Sequence, residues 1–313
     1  MHAKLQDAIA VSRRAPYRHL AQALGVVQVL VLALAALVLK SVRRLHPDAV
    51  DRALAEAYYY VPEMALHKKI ELQAYLDCEF SGRGIDLGCG SGIVGGILAA
   101  NSGSGALHGV DLNAAAAELA KGNGYSGFTT ADLAEIDLPD ASFDFAISIC
   151  VLEHVANLAA ALREARRLLR PGGRLIFSTP APNYRRSLVG YRLRATLGMT
   201  AAAERFADER DLYSIHLHYM EAAEWKTRLG EVGFRDIRVS PIFSRRQLAL
   251  YDMMNFQVYM PRLYFADKLQ ALCWRFVRLR RLASWATMVF TAAATSRRAT
   301  EADGTHFFIV AQY

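Results

Sequence analysis

The chain has 313 residues, 53% of them hydrophobic, which is enough for one large α/β domain with additional segments. Its four scattered cysteines include no C-x-x-C pair, which argues against a zinc site or a disulfide framework and fits a reducing compartment. The net charge is +7, but residues 1–52 carry 8 Lys and Arg against 3 Asp, and residues 240–298 carry 10 against 2. Because this basic charge lies beside the most apolar segments, we expect a membrane surface as a partner rather than nucleic acid.

The first predicted element is an apolar helix near the start of the chain. Residues 20–39 carry no charge, and as a helix they would be roughly 30 Å long, about the thickness of a hydrocarbon core. Basic residues flank both ends, so the flanking charges do not set an orientation. We therefore expect residues 1–48 to form a basic, hydrophobic helix that serves as a membrane anchor. A helix buried on its own protein or on a partner is the alternative.

Residues 49–243 are predicted to form the core domain, beginning with one or two helices over residues 49–80. A β-like run with Asp86 then leads into a glycine-rich turn and an apolar helix. Glycines let the backbone turn sharply and approach a ligand, and the helix N-terminus offers N–H groups to polar atoms. The turn residues predicted to bind a cofactor are Gly88, Cys89, Gly90 and Gly92.

The next two predicted strands also end in acidic residues. Leu107 to Val110 leads to Asp111 and Leu112, where the Asp111 carboxylate could accept hydrogen bonds from ribose hydroxyls or cap the following helix. Residues 128–131 lead to Asp132 and Leu133. The glycine pattern followed by Asp111 also fits a dinucleotide site, so these residues alone leave two nucleotide-type cofactors open.

Later motifs decide between the two cofactors. A polar turn and β-run end at Cys150, a helix start containing Glu153 and His154 follows, and a helix from Leu158 stops at Pro-Gly-Gly before another strand. Together with "DLGCGSG", the strings "LPDASFDFAISICVLEHV" and "LLRPGGRLIFSTP" resemble the class I S-adenosylmethionine (SAM)-dependent methyltransferases of the type 11 kind. The resemblance covers residues 82–180 with five motifs in order, of which a nicotinamide enzyme explains only two.

The resemblance implies a Rossmann-like, seven-stranded, mostly parallel sheet with helices on both faces and SAM at the carboxyl ends of the strands. It implies that SAM is the co-substrate and that no metal is required. Asp132 would then accept from the adenine amino group and Leu133 would pack near the ring. The residues expected to form the SAM site are Asp86, Gly88, Cys89, Gly90, Gly92, Asp111, Leu112, Asp132, Leu133 and Cys150.

Few side chains qualify as a general base, which is needed only if the acceptor must lose a proton. Glu153 and His154 follow the fourth strand, near the expected position of the methyl group, although this turn could instead shape the pocket through hydrogen bonds. His216 and His218 lie in a polar, aromatic segment beyond the fifth strand, and as a strand they would face the same way. Alternatively, they are surface or interface histidines. The predicted catalytic residues are His154, Glu153, His216 and His218.

Residues 244–303 are predicted to form a helical insertion before the last strand, 304–313. The insertion would be a lid or a helix lying on a membrane surface, since apolar and arginine residues recur at helical spacing. We therefore expect a methyltransferase at the cytoplasmic face of a membrane, as a single-pass protein, acting on a lipid, a lipid-linked glycan or another small amphipathic acceptor. The alternatives are a cytoplasmic, soluble small-molecule O- or N-methyltransferase and a non-catalytic SAM-binding protein.

Overall fold

The computed structural model describes residues 15–42, 45–255, 266–296, 298–300 and 302–313. Residues outside these ranges include parts of the predicted 1–48 and 244–303 segments. The helices are α1 (Ala15–Val42), α2 (Ala49–Tyr58), α3 (Pro62–Leu76), α4 (Ile93–Ser102), α5 (Ala116–Gly122), α6 (Leu158–Leu168), α7 (Tyr184–Ser187), α8 (Val189–Thr196), α9 (Thr200–Ser214), α10 (Ala222–Val232), α11 (Arg245–Met254), α12 (Ala266–Arg275) and α13 (Val277–Ala294). The strands are β1 (Gly84–Leu87), β2 (His108–Asp111), β3 (Gly127–Thr130), β4 (Phe143–Ile149), β5 (Leu169–Pro180), β6 (Arg235–Ser244) and β7 (Gly304–Gln312).

The strands form one seven-stranded sheet in the order β3-β2-β1-β4-β5-β7-β6. Neighbours from β3 through β5 pair in parallel, whereas β7 runs antiparallel to both β5 and β6. The predicted Rossmann-like, mostly parallel sheet is therefore confirmed. Because β1 and β4 lie at its centre, the residues that follow them are brought together at one edge of the sheet.

Burial on both sides of the sheet explains why the central strands read as nearly continuous apolar runs. In β4, residues 145–149 are all buried, and β1 is buried throughout. Helix α6 contributes Leu158, Leu162 and Leu168 to the same hydrophobic cluster, at the spacing of one helical face. The amphipathic pattern of α6 and the continuous pattern of β4 thus fix which surfaces meet.

The chain divides into two compact units. The sheet unit comprises Glu71–Ser187, Thr200–Arg245 and the segment that ends at Tyr313. The helical unit comprises residues up to Ile70, Leu188–Met199 and Arg246–Arg298, and α12 and α13 pack against α1 within it. The sequence predicts a division of the chain into four parts. Because that division concerns functional boundaries, it remains a prediction.

Helix α1 has one buried face and one exposed face. Val29, Leu32, Ala33 and Ala36 are buried in clusters that include residues of α12 and α13. Across the residues that the structure describes, no helix combines the length and apolar character needed to cross a membrane. The predicted single-pass span over residues 20–39 is therefore not supported.

A buried ion pair network joins α2 and α3 inside the helical unit. Lys69 Nζ lies 2.6 Å from Asp48 Oδ2 and 3.3 Å from Asp51 Oδ2, and the Lys69 and Asp51 side chains are both buried. Thr291 donates a hydrogen bond of 3.3 Å to Asp51 Oδ1. Burial raises the pKa of the Asp51 carboxyl even though Lys69 opposes the shift.

Replacing Lys69 by Met should destabilise the protein by about 3–5 kcal/mol at neutral pH, because Asp51 would remain buried and charged without its partner. The loss should shrink at acid pH, since protonation of a carboxyl with a raised pKa removes the buried charge. Urea unfolding at several pH values measures both effects. The exposed Lys121, paired with Glu118, supplies the control, and K121M should change stability by less than about 0.5 kcal/mol. Equal losses in the two variants would contradict the assignment.

Candidate active site

The glycine-rich loop between β1 and α4 forms an open cradle at the carboxyl end of β1. Gly90 has φ 51°, and a Cβ placed there would meet no atom within 4 Å. The amides of Gly88 and Cys89 both donate to the Val110 carbonyl, at 2.8 and 3.0 Å, which ties the loop to the end of β2. The α4 N-cap, Gly92, makes no side-chain capping bond. The loop therefore leaves open space at Gly90, beside the N-terminus of α4.

Asp86 lies beneath this loop rather than on its surface. The carboxylate is buried, and its Oδ2 accepts a 2.5 Å hydrogen bond from the Tyr125 hydroxyl. Burial and the neighbouring Asp86 raise the pKa of Tyr125 well above its ordinary value, so the hydroxyl keeps its proton and donates. A Cβ at Gly95 would lie 1.9 Å from the same hydroxyl. Asp86 thus links β1 to the segment that precedes β3.

Asp111, at the end of the neighbouring strand β2, accepts a hydrogen bond from the loop. Its Oδ2 accepts from the Gly90 amide at 2.7 Å, and its Oδ1 accepts from the Asn113 amide at 2.9 Å. Each carboxylate oxygen has a second lone pair available for a ligand hydroxyl. Asp111 therefore holds the loop and the turn after β2, whereas the N-cap of α5 is Ala115, so Asp111 does not cap that helix. Its predicted contact with ribose hydroxyls remains a prediction.

The other predicted cofactor residues surround the same edge of the sheet. Leu112, beyond β2, is exposed, and Asp132, beyond β3, is exposed with its Oδ1 accepting from the Ala134 amide at 2.9 Å. Leu133 is instead buried in the cluster that contains Ile136 and Leu162. Its predicted contact with an adenine ring remains a prediction.

Two of the predicted cofactor residues are cysteines, and they lie in different surroundings. Burial, Asp86 and Asp111 raise the pKa of the Cys89 thiol far above its usual range, so the thiol stays protonated. Cys150 follows β4 with φ 52°, a conformation that costs a non-glycine residue about 1–3 kcal/mol. Its amide donates to the Ser178 carbonyl at 3.2 Å, which holds the turn against β5.

The turn after β4 is paired with the segment that follows α9. Leu217 N donates to the Glu153 carbonyl at 2.8 Å, while His154 Nδ1 lies 3.0 Å from the Ile215 carbonyl. His218 Nε2 lies 2.8 Å from the Val155 carbonyl. This pairing brings the four predicted catalytic residues into one region, although residues 216–221 form neither a helix nor a strand.

His216 lies at the centre of this region. Its ring centroid is 5.1 Å from that of His154, and Glu153, His154 and His216 offer possible metal-ligand atoms within 4.8 Å of one another. His216 Nδ1 lies 2.8 Å from the Tyr219 hydroxyl, whereas His218 bonds to backbone as described above. The two histidines therefore have different partners, and His216 is the one beside His154.

The side chains behind His216 include Asp211 and Tyr219 of the same polar, aromatic segment, and Arg185 of α7. Tyr219 donates a 2.6 Å hydrogen bond to Asp211 Oδ1, and Arg185 Nε lies 2.6 Å from Asp211 Oδ2. Arg185 also pairs with Asp208. The spacing of Asp211, His216 and Tyr219 along the chain was visible beforehand, but their order in a hydrogen-bonded chain depends on how α9 ends.

Comparisons with known proteins agree with this geometry. Residues 85–177 match the family model of a methyltransferase domain. An uncharacterized protein of transposon TN4556 from Streptomyces fradiae is 36% identical over 45% of this chain and 44% of its own length. The arsenite methyltransferase of Aquipseudomonas alcaligenes is 40% identical over 30% of this chain and 31% of its own. The ubiquinone biosynthesis O-methyltransferase of Alkalilimnicola ehrlichii is 33% identical over 30% of this chain and 40% of its own.

These matches confirm the predicted resemblance to SAM-dependent methyltransferases and SAM as the co-substrate. The matched region of this chain coincides with the segment from β1 through most of β5. The chain spans less than half the length of each of these relatives.

Two glycine substitutions should separate ligand binding from folding. G90A should cost about 1–2 kcal/mol of stability through its left-handed backbone, and it should lower SAM affinity at least tenfold because the new Cβ enters the cradle. G95A should cost about 3 kcal/mol or more, because its Cβ displaces the Tyr125 hydroxyl from the buried Asp86.

Calorimetric titration with SAM and thermal unfolding measure the two effects. The control is G230A in α10, where a Cβ would meet no atom within 4 Å and alanine favours the helix. Unchanged SAM affinity in G90A would remove this loop from the cofactor site.

Proposed function

We propose that this chain, which carries a class I SAM-dependent methyltransferase domain, methylates a small amphipathic acceptor, such as a lipid or a lipid-linked glycan, at a membrane surface. The observation that carries the membrane part of the proposal is the exposed apolar face of α1. The methyl-transfer part is supported by the loop cradle and by the histidines beside the end of β4. Both parts are tested separately below.

The residues at the carboxyl ends of β1 and β2 fit SAM. The open space at Gly90 admits a ligand, and the uncapped N-terminus of α4 suits its polar atoms. We assign the ribose hydroxyls to Asp111, while Asp132 and Leu112 are assigned to the adenosine end. Asp86, Gly88, Cys89, Gly92, Leu133 and Cys150 support this site through the contacts described above. SAM supplies a methyl group already activated on a sulfonium.

The chain's own contribution to the reaction is to position the acceptor and to accept a proton. Alignment of donor and acceptor lowers the barrier by several kcal/mol, and proton transfer contributes only where the acceptor carries a proton. Glu153, His154 and His216 lie together beside the end of β4, so a base is available there. His218 is bound to backbone and holds the segment in place.

The exposed stripe on α1 supports contact with a lipid surface. Six apolar side chains recur at helical spacing, and each is more than half exposed (53–64%): Val27, Leu30, Val31, Leu34, Leu37 and Val38. A contiguous apolar patch of this kind is typical of an interaction site rather than of free surface. The stripe lies opposite the face that packs on α12 and α13.

The junction between α12 and α13, also in the helical unit, exposes side chains of the kinds that favour a membrane interface. Trp274, Phe276 and Val277 are exposed there, and Arg275 and Arg278 are exposed beside them. Tryptophan with arginine is the combination found where a protein meets lipid headgroups, since the ring prefers the interface and the guanidinium attracts anionic lipid. We therefore propose peripheral association with an anionic membrane.

The function is tested by transferring labelled methyl from SAM into an extract of the source cells, partitioned between organic and aqueous phases. We expect label in the organic phase, because the proposed acceptor is amphipathic with a lipid portion. Label confined to the aqueous phase would instead favour a soluble small-molecule O- or N-methyltransferase. Absence of label in both phases, with SAM still bound, would favour a non-catalytic SAM-binding protein.

The membrane surface is tested with vesicles of phosphatidylglycerol and phosphatidylcholine. L34E should weaken cosedimentation at least tenfold, because burying the charge in place of a leucine costs more than about 1.5 kcal/mol. Leu212, exposed on α9 in the sheet unit, provides the control, and L212E should bind vesicles as the parent does. Equal vesicle binding by L34E and the parent would refute the α1 surface.

A further inference from the structure

We propose that Arg185, Asp211 and Tyr219 position His216 as the general base, by a relay of one ion pair and two hydrogen bonds that fixes its proton on Nδ1. This inference rests on the proposed methyl transfer and narrows its substrate class. His216 is the residue that would touch the acceptor, whereas Tyr219, Asp211 and Arg185 act through it. The acceptor is an O–H or N–H group that must lose its proton when it is methylated.

The relay is a continuous series of short polar contacts within the sheet unit. It begins at Arg185 Nε, which is 2.6 Å from Asp211 Oδ2, and continues from Asp211 Oδ1 to the Tyr219 hydroxyl at 2.6 Å. It ends at His216 Nδ1, 2.8 Å from the same hydroxyl. All the distances lie in the range of strong or charge-assisted contacts.

The direction of each bond follows from the proton inventory. A phenol has one proton, and Tyr219 donates it to the carboxylate of Asp211. Its oxygen can therefore only accept from His216, so Nδ1 must carry a proton. In the neutral ring this leaves the lone pair on Nε2. In catalytic triads, an Asp carboxylate bonds directly to the imidazole and orients it. Here a tyrosine lies between the carboxylate and the ring.

The neighbouring histidines provide a contrast within the same segment. His154 Nδ1 faces the Ile215 carbonyl, which can only accept, so His154 also carries its proton on Nδ1. His218 faces the Val155 carbonyl through Nε2, so its proton lies on Nε2. Hydrogen bonds to these carbonyls require a proton on Nδ1 of His154 and on Nε2 of His218, whereas the relay requires one on Nδ1 of His216.

The position of His216 suits proton uptake beside the sheet edge. The ring contacts His154 at 5.1 Å and the buried Tyr184 at 5.5 Å between centroids. Tyr184 also stacks on Tyr219 at 6.2 Å, which restrains both partners of the final hydrogen bond. Ile215, with φ 57°, is held in a strained conformation immediately before His216. The backbone strain is therefore located where the orientation of the ring is set.

The proposed step balances as a proton-coupled displacement. The acceptor oxygen or nitrogen forms a bond to the methyl carbon, and the carbon–sulfur bond breaks with its electron pair going to sulfur. The acceptor proton goes to Nε2 of His216, and the relay stabilises the resulting imidazolium through Nδ1. An acceptor that is already an anion, or that has no proton to lose, gains nothing from this arrangement.

The relay is tested by NMR on the full chain labelled with ¹⁵N-histidine, in the presence of S-adenosylhomocysteine. Long-range proton–nitrogen correlations distinguish the two neutral tautomers, and H216Q identifies the His216 signals. We expect His216 and His154 with the proton on Nδ1 and His218 with the proton on Nε2. Y219F should shift the His216 tautomer ratio toward Nε2–H by about tenfold, the effect of one hydrogen bond, while His154 and His218 stay unchanged.

Three results would overturn the proposal. The first is a wild-type His216 that carries its proton on Nε2 or on both nitrogens at neutral pH. The second is a Y219F protein whose unchanged His154 and His218 signals show the native fold but whose His216 ratio does not move. The third is a change of the His216 signals when EDTA is added to the wild-type protein, since that would place a metal on Nε2.

Catalysis is tested in the extract assay with labelled SAM. H216Q should lose about 100-fold of the labelling rate at neutral pH, within the usual contribution of a general base, and should recover at alkaline pH where the acceptor ionises unaided. Y213F, which alters another tyrosine of the α9 region, should label at the parent rate. An H216Q rate equal to that of the parent would exclude His216 as base. Failure of the parent to label would contradict the proposed function, whereas the NMR result tests the relay independently.

Discussion

The hydrogen bond between the Tyr125 hydroxyl and the buried Asp86 carboxylate is the constraint on which the cofactor edge depends. It joins the end of β1 to the residue that precedes β3, and Gly92 and Gly95 pack against the same tyrosine. A buried carboxylate without a donor would cost several kcal/mol, so the tyrosine and the glycines that make room for it are needed together. The loop can then border open space at Gly90, because Asp111 holds the Gly90 amide and Asp86 is anchored beneath the loop.

Much of this edge could be predicted from the sequence, because its signals are local. Acidic residues at the ends of apolar runs, followed by glycines or by helix patterns, placed Asp86, Asp111 and Asp132 beside neighbouring strands of one sheet. The role of Asp86 could not be read in the same way, since its partner Tyr125 lies 39 residues away. Leu133 shows a second limit of prediction from sequence. An apolar residue after a strand can face either a ligand or the core, and Leu133 is buried in the core.

The proposed base and the proposed membrane-binding face depended on longer-range information. Hydropathy showed that residues 20–39 are apolar all round, but only the fold shows that Val29, Leu32 and Ala36 pack internally while Leu30 and Leu34 do not. The apolar residues of this helix therefore form two faces, one packed and one exposed. A helical wheel drawn from the sequence alone could not distinguish them. Similarly, His216 and His218 have the same local pattern, and only the pairing of residues 215–218 with the turn after β4 gives them different partners.

The polarity of the proposed His216 relay depends on the proton of Tyr219. Burial and Asp211 raise the pKa of Tyr219 far above its ordinary value, so the phenol does not ionise at physiological pH and remains a donor. Burial raises the pKa of Asp211, while the bond from Tyr219 and the charge of Arg185 oppose the shift and favour the ionised acceptor. In the proposed relay, the Tyr219 hydroxyl separates the His216 ring from the Asp211 carboxylate, which is paired with Arg185.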